Sequence, residues 1–156
     1  MTRLSHLFPA ASLLLMPMPA LALSPPTART VDGASFDPKG HVTIVHYWAT
    51  WCAPCRAEMP ILDAFYRRHE AQGVDMLAVS IDQGISNAKL KQHVASFAFP
   101  VARVSDVTIA RRDIPRAIPV TRIFDRNGRL VFESKADGRA HLDAATLERI
   151  AAPLLR

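Results

Sequence analysis

The seven residues Val42-Thr43-Ile44-Val45-His46-Tyr47-Trp48 constrain this chain most, because they are β-branched or aromatic and do not alternate with polar residues. A strand exposed on one face shows a period of two; a run that lacks it reads as a central strand covered on both faces. The chain must then cover both sides of a sheet. With 156 residues and 49% hydrophobic composition, one domain is long enough to do so.

A helical pattern follows at once, from about Ala53 to Glu70, with Met59, Leu62, Phe65 and Tyr66 on one face and Pro60 as an expected kink. Met76-Leu77-Ala78-Val79 reads as a second buried strand. Ser86 is placed to cap another helix, in which Leu90, Val94 and Phe97 recur before Pro100 stops it. Strand, helix, strand, helix implies parallel pairing. Beyond this, Val120–Phe124 and Arg129–Glu133 flank Asp125-Arg126-Asn127-Gly128, where Asn-Gly favours a tight hairpin turn. Leu147, Ile150, Ala151 and Leu154 form a last helical stripe. The order is βαβα, then ββα.

The N-terminal residues read as an export signal: Arg3, an apolar stretch from about Leu7 to Leu23, and Ala20-Leu21-Ala22 as a small-x-small cleavage site. The expected division is a signal peptide over 1–22 and a domain over 23–156, tethered through the Pro-rich Ser24–Ala28. An uncleaved anchor is disfavoured by Pro9, Pro17 and Pro19 and by the stretch's length, and no stable membrane insertion is expected after cleavage. Removing 1–22 takes away Arg3 and no acid, leaving 18 basic against 14 acidic residues. The positive charge is scattered, with no aromatic-rich RNA-binding signature and no zinc-finger spacing, so nucleic acid is not an expected partner.

Two cysteines in an exported chain ordinarily suggest a structural disulfide. In Trp51-Cys52-Ala53-Pro54-Cys55-Arg56, however, two residues separate them at a strand-to-helix junction, so a bridge closes a loop too small to restrain the unfolded chain much. Reversible redox chemistry is what such a pair offers. Unpaired N–H groups and the helix dipole at the helix start favour an anion, which suits a thiolate at Cys52. Cys52 is then the attacking sulfur and Cys55, one turn deeper, the resolving one. Arg56 follows Cys55 where haem attachment requires His, and no second ligand pair is available for structural zinc, so neither a cofactor nor a metal is expected.

The string Tyr47-Trp48-Ala49-Thr50-Trp51-Cys52-Ala53-Pro54-Cys55-Arg56-Ala57-Glu58-Met59-Pro60, within this element order, resembles the exported TlpA- and ResA-like branch of the thioredoxin superfamily over roughly Val42 to Arg156. The resemblance implies a thioredoxin-like three-layer α/β fold, a mixed central sheet built from a βαβ and a ββα unit with helices on both faces. It implies a cis-proline opposite the cysteines. Ile114-Pro115 and Ile118-Pro119 compete for that role, and Pro119 is chosen because it leads straight into Val120–Phe124. Ile118 would then pair with an extended substrate segment.

Glu58 matches a glutamate that lies beside the active site in ResA-like proteins, where it would tune the thiols or relay a proton; the bland alternative is a first-turn acid that favours the dipole. His46 stands where thioredoxin proper has a buried aspartate, which puts the usual acid relay in doubt; a hydrogen-bonded core histidine is the plain expectation. Trp51 is the candidate for an apolar docking surface, whereas packing alone accounts for Trp48. Arg111, Arg112 and Arg116 read as solvated surface arginines.

The implied activity is reduction of client protein disulfides, such as apocytochrome c or copper-site cysteines, with regeneration by a membrane electron donor. A disulfide-forming oxidase is the same chemistry run backwards. A non-enzymatic copper-binding protein is the other alternative, and the chain lacks a Met- or His-rich motif for it.

Overall fold

A computed structural model describes residues 23–134, 136 and 142–156. The expected signal peptide over 1–22 lies outside the described residues. The chain runs β1 (Thr27–Thr30), β2 (Ser35–Phe36), β3 (Val42–Trp48), α1 (Ala53–His69), β4 (Val74–Ser80), α2 (Asn87–Val94), β5 (Val101–Thr108), β6 (Val120–Phe124), β7 (Leu130–Glu133) and α3 (Ala144–Ala151). The seven strands form one mixed sheet in the order β2-β1-β5-β4-β3-β6-β7. β3 is central: it pairs parallel with β4 and antiparallel with β6, and all seven of its residues are buried.

The thioredoxin-like sheet with its βαβ and ββα units is present, and it carries more strands than expected. Thr27–Thr30, read as tether in part, is strand β1, joined to β2 by a turn and laid antiparallel on β5. β5 itself was not foreseen, because only Val101 and Ala102 of its eight residues are buried and no apolar run marks it. α2 ends at Val94, three residues before Phe97, which instead stacks on Phe99. Leu154 lies beyond α3 in a 3-10 turn.

The helices are distributed differently from expectation. The crossovers β3–α1–β4 and β4–α2–β5 step in the same direction along the sheet, and right-handed crossovers then lie on the same face. Met59 and Leu62 of α1, Leu90 and Val94 of α2, and Leu147 and Ala151 of α3 accordingly share one core cluster with Ile44, Trp48 and Met76. The other face, built on Val45, Tyr47, Leu77 and Val79, is closed by Leu23, Phe36, Val104, Val107, Ile109 and Ile118. Each fully buried aliphatic side chain contributes about 2 kcal/mol of transfer free energy.

The hairpin turn also departs from the simplest reading. A two-residue Asn-Gly turn of type I′ needs positive φ at both residues, whereas among the described residues only glycines have it. Gly128 alone, at φ 75°, takes the left-handed position, and the Asp125 side chain accepts from the N–H groups of Asn127 and Arg129 to hold the turn.

Candidate active site

The site forms where β3 delivers the chain to the head of α1. The Ala49–Trp51 turn between them closes with the Cys52 N–H donating to the Ala49 carbonyl at 3.1 Å. Cys52 is the N-cap of α1, with extended backbone (φ −85°, ψ 99°), and Pro54 lies at the helix start, where its missing N–H costs nothing. The Cys55 N–H donates to the Cys52 Sγ at 3.3 Å. An orphan donor of the first turn is therefore aimed at the sulfur, the arrangement that favours negative charge there.

Cys52 and Cys55 form a disulfide with an S–S distance of 2.03 Å. Cys55 is fully buried and Cys52 nearly so, while Trp51 beside them is 69% exposed. The Ile118–Pro119 peptide bond is cis and opens directly into β6, which lies antiparallel to β3. Ile118 is partly buried against the cores of both faces. Arg111, Arg112 and Arg116, at the start of and within the loop leading to Ile118, are exposed, and Arg112 lies 3.8 Å from Asp113.

Glu58 is buried in the second turn of α1, and the first turn holds no acidic residue, so it is not the first-turn acid of the bland reading. Across from it, His46 projects from β3 with no solvent exposure. Its Nδ1 makes a 2.9 Å hydrogen bond with Thr121 Oγ1, its register partner on β6, and lies 3.8 Å from Glu58 Oε2. Its Nε2 makes no hydrogen bond to any described residue. Burial lowers the His46 pKa to about 4, the Cys55 carbonyl pulling the other way, so the ring is neutral near pH 7.

A second polar cluster braces the turn from the side. Asp82, two residues beyond β4, accepts from the Thr50 N–H at 2.9 Å, the Thr50 hydroxyl at 2.7 Å and the Ser80 hydroxyl at 2.8 Å. Arg56 donates to the Thr50 carbonyl at 2.5 Å. Sequence reasoning missed Asp82 and Thr50. Their signal was positional: Ser80-Ile81-Asp82 follows a buried parallel strand, at the carboxyl edge of the sheet where loops build sites.

Among the described residues no group of three or more His, Cys, Asp or Glu side chains is arranged to hold a metal ion. None of their helices is long and apolar enough to cross a membrane.

Comparison with known proteins agrees with this geometry. The profile of the AhpC/TSA family matches residues 16–132. The thiol-disulfide oxidoreductase ResA of Bacillus thuringiensis is 27% identical over 103 residues, covering 65% of this chain and 58% of that protein. The match thus spans little more than half of the relative's length. Among solved structures, a thioredoxin-family thiol:disulfide interchange protein of Chlorobium tepidum has a TM-score of 0.67 at 22% identity, covering 86% of this chain and 97% of its own. StoA of Bacillus subtilis has a TM-score of 0.65 at 20% identity, covering 82% and 97%. At these identities the two structures establish the fold.

Proposed function

The chain belongs to the AhpC/TSA family of the thioredoxin superfamily, and from that membership and the sulfur pair at the head of α1 we propose that it is an exported thiol–disulfide oxidoreductase that reduces disulfides of partner proteins. One observation carries the reading: an N-cap sulfur, Cys52, receives a backbone N–H from the first helical turn and adjoins an exposed tryptophan. A structural bridge needs neither feature. The name of the relative ResA points to the same chemistry.

In the reduced form the Cys52 thiolate attacks one sulfur of a client disulfide, forming a mixed disulfide and releasing the other client sulfur as a thiolate. Cys55 then gives up its proton and attacks Cys52 Sγ; the Cys52–Cys55 disulfide forms and the client leaves with two electrons gained. Trp51, Ile118 and Pro119 are the surface on which the client segment lies. Glu58, one turn beyond Cys55, takes the proton that Cys55 loses. A membrane electron donor restores the dithiol. Residues 1–22 direct export and are removed, leaving 23–156 as the working domain, and cysteines of apocytochrome c or copper sites are the client class.

The test is to purify the Cys55→Ala chain from its own cell and identify what is bound to Cys52. A covalent partner released by dithiothreitol is expected, and absence of any mixed disulfide at Cys52 ends the proposal. The reduction potential then fixes direction: a value near that of a strong disulfide donor, about −120 mV, turns the reductant into an oxidase.

A further inference from the structure

The loop that ends in the cis-proline carries cations that fasten nothing else among the described residues. β5 and β4 run parallel to β3, so β5 ends on the edge of the sheet where β3 delivers Cys52, and β6 starts there, with Val120 opposite Tyr47. Because β4 and β3 stand between β5 and β6, the 109–119 connection crosses the ends of both before it reaches the Ile118–Pro119 bond. Arg111, Arg112 and Arg116 are exposed on that connection. Its own shape is held by another residue, Arg122, which donates to the Asp113 carbonyl at 2.6 Å.

Elsewhere arginines tie the fold together: Arg67 to Asp63, Arg103 to Asn87, Arg126 to the Gln72 carbonyl. At the opposite edge of the sheet the cations Lys39 and Arg129 are met by Asp37 and Asp125, each at 3.1 Å. The guanidinium groups of Arg111 and Arg116 make no hydrogen bond or ion pair to any described residue, and Arg112 reaches only Asp113, at 3.8 Å. Arg56, exposed in the first turn of α1, adds a fourth positive charge and spends its hydrogen bond on the Thr50 carbonyl. The remaining acid of the edge, Asp82, is engaged by Thr50 and Ser80.

We propose that Arg111, Arg112 and Arg116 form a cationic rim that selects clients carrying Asp or Glu beside the disulfide to be reduced. The inference rests on the oxidoreductase reading above and names the kind of client segment that reading leaves open. A client segment lying on Trp51 and Ile118 passes the rim, since Arg116 is two residues before Ile118, about 7 Å along an extended chain. That is within the Debye length of about 10 Å at 0.1 M salt. The Cys52 thiolate alone would repel an acidic segment; the rim reverses the sign of the field the segment meets. An anionic lipid surface would meet the same charges, but docked there it would cover the exposed Trp51 and the sulfur pair that a client needs.

The test mixes the reduced protein with three peptides, each closed by one internal disulfide and differing only in the flanking residues: Asp and Glu, Ser and Gln, or Lys and Arg. In each reaction Cys52 attacks one peptide sulfur and Cys55 then attacks Cys52 Sγ. The peptide leaves as a dithiol with the two electrons and two protons that the protein dithiol gives up, and the protein is left as the Cys52–Cys55 disulfide. In low salt the acidic peptide is expected to react about tenfold faster than the neutral one and the basic peptide slowest. In about 1 M salt, where the Debye length is about 3 Å, the three rates should converge. R111Q/R112Q/R116Q is expected to bring the acidic and neutral rates within about twofold, and K39Q, at the opposite edge, to keep the full preference.

Equal rates for the three peptides in low salt overturn the inference, and so does a preference that survives the triple variant or is lost in K39Q. Equal rates together with binding to phosphatidylglycerol vesicles that the triple variant loses give the rim to a membrane instead. If the triple variant does not fold, R116Q decides, and a preference undiminished in it overturns the inference. The oxidoreductase reading is tested separately, with 5,5′-dithiobis(2-nitrobenzoate) in 1 M salt, where the reagent's own charge is screened. A first phase of thionitrobenzoate release, the step in which Cys52 attacks the reagent, no faster than with a free thiol overturns that reading itself.

Discussion

His46 and Tyr47 are neighbours in sequence and point to opposite faces of β3, and each sits in a buried polar cluster. On the Tyr47 face the polar group is Arg122, and its charge is fully met. Its guanidinium donates to Glu133 Oε2 at 2.5 Å and to the Asp113 carbonyl at 2.6 Å, and lies 5.2 Å from the centre of the Tyr47 ring. Burial keeps the Tyr47 phenol above its ordinary pKa, so the ring beneath the cation stays neutral. On the His46 face one ring nitrogen has no hydrogen-bond partner among the described residues, and the facing carboxylate is at 3.8 Å. Polarity that is satisfied where it is buried fixes an architecture. A buried imidazole with one nitrogen unbonded among the described residues keeps a capacity to take up or release a proton.

The contrast is tested first by pH. An unfolded His46 binds its proton near its ordinary value of 6.5 and the folded one at about 4, so between those values the unfolded state holds more protons. Stability contributed in this way is complete above about 6.5, falls as pH drops toward about 4, and is flat below. The drop is about 3 kcal/mol at most. Urea unfolding at pH 7.5 and at pH 4.5, on the native chain and on H46N, measures it; equal pH dependence in both removes His46 as the cause.

Arg122 is the next place to press. E133Q leaves a buried guanidinium without its counter-charge and is expected to cost about 2 kcal/mol, less than a fully buried pair because Glu133 is partly exposed. R122M fills the same space without charge and is expected to cost under about 1 kcal/mol. Exchange activity per folded molecule should be unchanged in E133Q. If instead E133Q moves the pH profile of exchange, the two faces are not as separate as the packing indicates.

A smaller effect than that of E133Q belongs to the partly buried third cluster. D82N turns an amide group toward donors that now meet a carboxylate, and is expected to cost about 1.5 kcal/mol. By loosening the Thr50–Trp51 turn it should also slow attack by Cys52. Thermal unfolding and the first phase of thionitrobenzoate release report the two consequences separately.

How much of this was visible in the sequence follows from range. β3 was legible because seven residues in a row declare burial on both faces, and the sulfur pair because its spacing and its place at a helix start need nothing from elsewhere. Thr27–Thr30 was not, since four residues behind Pro25-Pro26 become a strand only through the edge that β5 offers them. The helical layering depended on the order of strands, which no local pattern states. His46 and Glu58 were each visible as candidates, but their meeting, and Thr121's part in it, required β6 to be laid beside β3. The cis bond before Pro119 was reached through resemblance alone.

The two sulfurs are only three positions apart along the chain. Opening their bond sets free almost no length of polypeptide, so little chain entropy separates the bridged from the open pair and the fold gains little from the bond. What opening changes at the helix tip is charge and nucleophilicity.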